Sequence, residues 1–257
     1  MSSGDPVMDK NQLDRFVALY ERNNTWIAWS EGVAVLEIGD DNWPFPIPLV
    51  NRENGGFDGK PDWRFDTPEG IEEILNRRIG QNELSTIQAC LAFVDAEREY
   101  YRRNPQKRSS PEYARFILSS KGQKDGLYWP TAEGEASSPL GPNYAEARSS
   151  GYSPTQKGGK PFEGYFYKIL LTQGANAPGG ELEYVEGDAM TGGFGLLAYP
   201  AGYGTSGVMS FLVNQMGGVY EKDLGPETEG KVASMQSFDP DESWALVPDQ
   251  ALAFPSE

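Results

Sequence analysis

Gly164-Tyr165-Phe166-Tyr167-Lys168-Ile169-Leu170-Leu171-Thr172 opens the stretch whose reading decides the fold. Phe194-Gly195-Leu196-Leu197-Ala198-Tyr199, Val208-Met209-Ser210-Phe211-Leu212-Val213 and Val219-Tyr220-Glu221-Lys222-Asp223 follow it, all within Pro161–Asp223 and set apart by glycine-bearing turns. The first runs are apolar on both alternating faces. Tyr165, Tyr167, Ile169 and Leu171 oppose Phe166 and Leu170, and Phe194 and Leu196 oppose Leu197 and Tyr199. A strand greasy on both sides has to be covered on both sides. The last run carries Glu221, Lys222 and Asp223, the pattern of a solvent-facing edge strand.

Such a sheet needs helices over it, and the preceding segment offers two. Thr67-Pro68 opens a helix to Arg78, with Glu69, Glu72 and Glu73 near its positive end and Arg77 and Arg78 at its negative end; Gly80 is its expected terminator. Asn82 then caps a longer helix to about Arg103, with Leu84, Ile87, Leu91, Val94 and Tyr101 on one face. The fold expected is α+β: an antiparallel β-meander covered by these two central helices. Pro111–Ser119 reads as a further short helix. Thr228–Ser237 reads as a weak one, before a turn through Trp244 into a terminal strand.

A smaller helix-plus-hairpin unit precedes them, so the expected division is 1–66 and 67–257. Asp9–Asn23 reads as an amphipathic helix capped by Asp9 and Gln12, with Leu13, Phe16, Val17 and Tyr20 as its buried stripe. Thr25–Trp29 and Val33–Ile38 form a hairpin about Ser30-Glu31-Gly32. Trp43-Pro44-Phe45-Pro46-Ile47-Pro48-Leu49 lacks an N–H at every other position, so it is an extended edge or a polyproline segment. Without a Pro-x-x-Pro spacing, a packed edge is the simpler reading than a ligand for a proline-binding module.

Composition narrows the chemistry. Twenty-two basic and 38 acidic residues give a net charge of −16, which repels nucleic-acid backbones and anionic membrane surfaces. Histidine is absent, removing Ser-His and Cys-His catalysis, histidine metal ligands and imidazole switches together. Cys90 is alone and, beside Ile87, Leu91 and Val94, reads as a small core residue rather than a reactive thiol. No apolar run approaches the ~20 residues of a membrane span.

Few constellations remain. Asp239, Asp241 and Glu242 could place oxygens around calcium, although a polar turn explains them as well. Glu181, Glu183, Glu186 and Asp188 read as a solvated loop. Ser206, in a glycine-rich turn, would need a lysine such as Lys222 as its base. The long Gly/Pro/Ser-rich segment Lys121–Lys160 presents an exposed-looking set, Asp125, Tyr128 and Trp129, and Tyr203 stands on another loop. These four are the candidate ligand-binding residues. Paired carboxylates, as in glycoside hydrolysis, remain open without a selected pair.

Several stretches also resemble a known family. Asp41-Asn42-Trp43-Pro44-Phe45-Pro46-Ile47-Pro48-Leu49-Val50, Trp63-Arg64-Phe65-Asp66-Thr67, Arg77-Arg78-Ile79-Gly80 and Asp125-Gly126-Leu127-Tyr128-Trp129-Pro130 are four of them. Ser138-Pro139-Leu140-Gly141-Pro142, Ser206-Gly207-Val208-Met209, Lys222-Asp223-Leu224-Gly225 and Phe238-Asp239-Pro240-Asp241 complete the pattern. Together they resemble the bacterial domain-of-unknown-function family 2950 across nearly the whole chain. The resemblance brings no catalytic residues. It implies an export signal ahead of Ser2-Ser3-Gly4-Asp5-Pro6, with this chain starting inside that pattern, and hence a periplasmic or extracellular protein. Gly164-Tyr165-Phe166, Ala198-Tyr199-Pro200 and the hairpin at Gly217-Gly218 are also similar to the C-terminal sheet of pilin-like proteins, whose long apolar helix this chain lacks. The expected function is a non-enzymatic binding or assembly module contacting an envelope protein or glycan. The competing readings are a carboxylate-based hydrolase of cell-wall polymers and a pilin-like structural subunit.

Overall fold

The fold, a computed structural model, is described over residues 6–52, 62–142 and 161–248. It is a mixed α+β structure of two compact units, Met1–Arg78 and Ile79–Glu257.

In the N-terminal unit, helix α1 (Pro6–Arg22) begins ahead of Asp9, so Asp9 lies within the helix instead of capping it; the Gln12 side chain lies outside the described residues. Strands β1 (Asn24–Ser30) and β2 (Val33–Ile38) form the expected hairpin. Gly32 turns it with a φ of 72°, in the left-handed region that glycine enters at little cost. The proline-spaced segment runs extended beside β2, first as β3 (Trp43–Pro44) and then, past a bend, as β4 (Leu49–Arg52), which pairs with β5 (Asp62–Phe65). Among the described residues the strand order is β1-β2-β4-β5, which leaves β1 at a sheet edge.

This unit buries little. Leu36 and Ile38 are enclosed, but of the α1 stripe expected to be covered only Phe16 is half-buried, its ring centre 5.3 Å from that of Phe45; Leu13 is 62% exposed, and Val17 and Tyr20 are also exposed. Every residue of β1 is exposed.

Helix α2 (Thr67–Arg103) corrects the two-helix expectation. It is one uninterrupted helix of 37 residues that passes through Gly80. Asn82 and Glu83, read as a new start, serve the strands instead. The Asn82 amide donates to the Ser206 carbonyl at 2.8 Å, and Glu83 Oε1 accepts the Val208 and Met209 N–H groups at 2.8 and 2.9 Å. Residues from Ile79 onward belong to the C-terminal unit.

After α2 the chain stays extended where Pro111–Ser119 was expected to be helical. Strand β6 (Phe116–Leu118) pairs in parallel with β7 (Gly126–Tyr128). The helix expected over 143–148 lies outside the described residues. The central sheet is built from β8 (Tyr165–Leu170), and β9 (Thr172–Gln173), β10 (Leu182–Glu183), β11 (Val185–Glu186) and β12 (Ala189–Met190) form its side ribbons. Strands β13 (Gly195–Pro200), β14 (Met209–Asn214) and β15 (Val219–Asp223) complete the antiparallel meander β8-β13-β14-β15. Helix α3 (Thr228–Ser234), β16 (Ser237–Phe238) and β17 (Ala245–Leu246) follow. Strand β17 pairs with Tyr220 and Glu221, so β15 is not the bare edge its charges suggest.

Both faces of the meander are covered, by different elements. On one, Ile87, Cys90, Phe93 and Val94 of α2 pack with Tyr165, Leu196, Ala198, Phe211 and Val213. On the other, Leu170, Leu197 and Leu212 meet Leu224, Val232, Phe238 and Trp244 from the segment after the meander, where a second central helix was expected. Each large side chain so enclosed contributes about 1.5–3 kcal/mol. Lys168 ties that cover down by donating to the Val232 and Met235 carbonyls at the end of α3 (3.4 and 2.7 Å).

Candidate functional site

The N-terminal sheet has two side-chain faces. The register places Trp26, Leu36, Leu49, Trp63 and Phe65 on one, and Ile27, Val33, Val35 and Val50 on the other, which Trp29, at the register shift, joins as a groove wall. On the first, the Trp26 and Phe65 rings lie 6.4 Å apart and both are exposed, Phe65 at 53%. On the second, Trp29, Val33, Val35 and Val50 line a groove of about 600 Å³ with Pro44, Phe45, Pro46 and Pro48. Its remaining wall is Asp66, Glu69, Glu73 and Arg77, from the start of α2 and the residue before it.

Gly70 and Arg77 hold the proline segment to α2. Gly70 meets Ile47 so closely that a Cβ at Gly70 would stand 2.6 Å from Ile47 Cγ1. Arg77 donates to the Pro44 carbonyl at 2.6 Å and to Glu73 Oε1 at 2.7 Å. Arg77 is therefore engaged, whereas Asp66 caps the helix weakly, accepting the Glu69 N–H at 3.5 Å. The rim carries three carboxylates against one committed guanidinium, a surplus of negative charge.

A second, polar pocket of about 330 Å³ lies in the C-terminal unit, lined by Gln106, Arg108, Glu112, Arg115, Asp125 and Asp188 among others. Arg108 binds Glu112 Oε1 at 2.6 Å and Asp188 Oδ2 at 3.1 Å. The Arg108 guanidinium holds the Asp188 carboxyl below the usual carboxylate range. Gln106 donates to Glu112 Oε1 (3.0 Å) and to the Tyr100 hydroxyl (2.9 Å), and that hydroxyl donates to the Lys124 carbonyl (2.6 Å). Burial pushes the Tyr100 phenol up to about 12. Glu112 is buried and its Oε2 has no hydrogen-bond partner among the described residues. Behind the pocket, Glu97 is fully enclosed: Oε2 accepts the Ala114 N–H at 2.8 Å, Oε1 has no partner among the described residues, and burial drives its pKa well above the ordinary range.

The family model described as a protein of unknown function (DUF2950) matches residues 1–247. The chain belongs to the DUF2950 family. No curated protein and no solved structure matches it.

The expected site residues of this DUF2950 chain are placed as follows. Asp125 lines the polar pocket and accepts the Ser120 N–H at 2.7 Å. Trp129, expected to be exposed, is only 7% so: it packs edge-on to Tyr100, with ring centres 6.4 Å apart, in the core. Tyr128 is half-buried. Tyr203 stands on the β13–β14 turn and donates to Asp223 Oδ2 at 3.1 Å; it is not among the pocket's lining residues. Asp239 accepts the backbone and side-chain N–H groups of Asn176 (2.8 and 3.1 Å), and Asp241 accepts the Ser243 N–H at 2.9 Å. Among the described residues no three acidic or cysteine side chains gather where a metal ion could be held, Asp239, Asp241 and Glu242 included. Ser206 closes its own turn on Gly202, while Lys222 bonds Ser243. Cys90 is enclosed, its thiol pushed up to about 12 by burial, as a structural core residue. Among the described residues no helix is long and apolar enough to cross a membrane.

The groove is what reading the chain missed. Its signal was present in β1 and β2, both apolar on alternate faces, beside a single short helix able to cover them.

Proposed function

We propose that this DUF2950 protein is a non-enzymatic binding module of the bacterial cell envelope, working in the periplasm or outside the cell. The observation that supports this reading is the uncovered apolar sheet of the N-terminal unit. The C-terminal unit buries both faces of its meander, whereas the N-terminal unit leaves Trp26, Ile27, Trp29, Trp63 and Phe65 exposed. Trp26, Trp63 and Phe65 share one face, and exposed aromatics gathered in this way mark interaction surfaces. The chemistry of the chain agrees with binding rather than turnover: histidine is absent, and the carboxylates of the polar pocket are tied to Arg108, Gln106 or backbone N–H groups.

The test is retention of the purified protein on isolated envelopes and on purified peptidoglycan. Trp26→Ala and Trp29→Ala should each reduce retention at least about tenfold while leaving the fold unchanged. Equal retention by both variants rejects the reading. Fractionation of cells carrying the intact gene checks the location.

One observation favours a second reading, a carboxylate hydrolase of cell-wall polymers: Glu112, Asp125 and Asp188 line one pocket, and Glu112 keeps an unpartnered oxygen. Release of new reducing ends from peptidoglycan, lost in Glu112→Gln, would establish it; no release rejects it.

A further inference from the structure

The groove of the N-terminal unit is apolar over one part of its lining and acidic over another, and both parts face the same space. Val33, Val35 and Val50 are only half-buried there, and Trp29 is 71% exposed. Asp66, Glu69, Glu73 and Arg77 recur every three or four residues, so they form one stripe along the start of α2. On that stripe Glu73 is paired with Arg77 at 2.7 Å, and Arg77 is also held by the Pro44 carbonyl. Asp66 and Glu69 are left over. Asp66 accepts the Glu69 N–H at 3.5 Å, and the Glu69 carboxylate has no hydrogen-bond or ion-pair partner among the described residues. The positive end of α2, equivalent to roughly half a charge, offsets only part of these two carboxylates.

We propose that this groove binds a small free organic cation, a compact apolar body carrying a primary ammonium. The inference goes beyond the binding-module reading and stands or falls separately from it. Each part of the ligand answers a part of the lining. The apolar body lies on the valines and prolines and against the open Trp29 ring, where burial of apolar surface contributes about 25 cal/mol per Å². The ammonium meets Asp66 and Glu69 beside that body, in the same groove. A space of about 600 Å³ is in the range of small-ligand sites, roughly 300–1,000 Å³. Other occupants answer less of it. An anion is repelled by the two unneutralised acids. A metal ion leaves the apolar lining bare, and among the described residues no three acidic or cysteine side chains gather to hold one. A second copy of the chain brings its own charge of −16 and is repelled at a distance. A neutral apolar molecule leaves both carboxylates unanswered.

The probe is phenylbutylamine, titrated against the full chain. Calorimetry gives the affinity, and nuclear magnetic resonance of the tryptophan indole N–H groups gives the place, the Trp29 signal being assigned by its loss in Trp29→Phe. Three matched compounds run beside it: phenylbutanol lacks the charge, phenylbutyrate reverses it and diaminobutane lacks the apolar body. Phenylbutylamine should shift the Trp29 signal and bind at least about fivefold more tightly than each of the three. Asp66→Asn/Glu69→Gln removes both charges while asparagine still caps α2, and should weaken binding at least about fivefold. Trp29→Ala should weaken it by a similar factor, and added salt should weaken it in the parent. Circular dichroism confirms that the variants are folded. Equal binding of phenylbutanol, or binding unchanged in the double charge variant, overturns the proposal. Tighter binding of a blocked Val-Lys-Val tripeptide makes the occupant a polypeptide, and a Trp29 signal that moves with protein concentration alone makes it a second copy; either overturns it as well. If phenylbutylamine does not bind while envelope retention still depends on Trp26 and Trp29, this inference falls alone. If it binds as stated while retention is independent of both tryptophans, the binding-module reading falls alone.

Discussion

The guanidinium carbon of Arg77 stands 5.1 Å from the centre of the Trp43 indole ring. The same group donates to the Pro44 carbonyl and to Glu73 Oε1, so one side chain fastens the proline segment to α2 along the groove wall. Hydrogen bonds from charged groups contribute about 1.5–3 kcal/mol when well enclosed, less when partly exposed as here. Arg77→Ala should therefore cost about 1–2 kcal/mol in urea unfolding. Arg77→Lys should recover only part of that, because an ammonium cannot reproduce the planar fork. An unchanged midpoint for Arg77→Ala would mean that the contact holds nothing.

Gly70 makes a sharper case. Inside a helix, replacing glycine with alanine normally stabilises by roughly 1 kcal/mol. Here the new methyl would meet Ile47 at 2.6 Å, and overpacking of this kind costs about 1–3 kcal/mol. The expected outcome is a net loss of thermal stability for Gly70→Ala, relieved when Ile47→Ala is added. A stabilised Gly70→Ala protein would show that α2 does not approach the proline segment so closely.

Much of the C-terminal sheet was legible because two-faced apolar alternation leaves a strand few other readings. Tyr165–Leu170, Gly195–Pro200, Met209–Asn214 and Val219–Asp223 fall within a residue or two of where that alternation puts them. Local signals misled where distant partners decided the outcome. Gly80 looked like a helix stop, yet its cost of roughly 1 kcal/mol is outweighed once Asn82 and Glu83 find Ser206, Val208 and Met209, more than 120 residues away. Trp129, among polar and glycine-rich neighbours, looked like a loop residue, and nothing local announces that Tyr100 receives it. The groove was the least legible feature. Trp29, Phe45 and the pair Glu69 and Arg77 come from three separate parts of the chain, and each had a sufficient local explanation as hairpin, packed edge or helix-end charge.

Trp129, enclosed where an exposed residue was expected, and Trp29 can be told apart by stability. Trp129 is enclosed against Tyr100, so Trp129→Ala should cost about 3–5 kcal/mol, with Trp129→Phe intermediate. Trp29 projects into solvent, so Trp29→Ala should stay within about 0.5 kcal/mol of the parent. Guanidinium unfolding followed by circular dichroism measures both. The reverse order would place Trp129 at the surface after all.

Glu97 predicts a pH dependence whose sign follows from burial. Its carboxyl is fully enclosed, desolvation raises its pKa well above 4.5, and the Ala114 N–H offsets only part of that rise. A carboxyl whose folded pKa lies above its unfolded one is favoured in its neutral form by folding. Its contribution is complete below pH 4.5, declines as pH rises past that point, and is lost once pH passes the folded pKa. Each unit of that rise corresponds to about 1.4 kcal/mol. Glu97→Gln keeps an acceptor for the Ala114 N–H and removes the charge. The variant should be more stable than the parent near pH 8 by at least about 1 kcal/mol and should lose that advantage toward pH 4. Melting temperatures of both proteins across this range decide the matter: parallel curves, or a variant less stable at pH 8, would mean that Glu97 is ionised in the fold and paired by a group beyond Ala114.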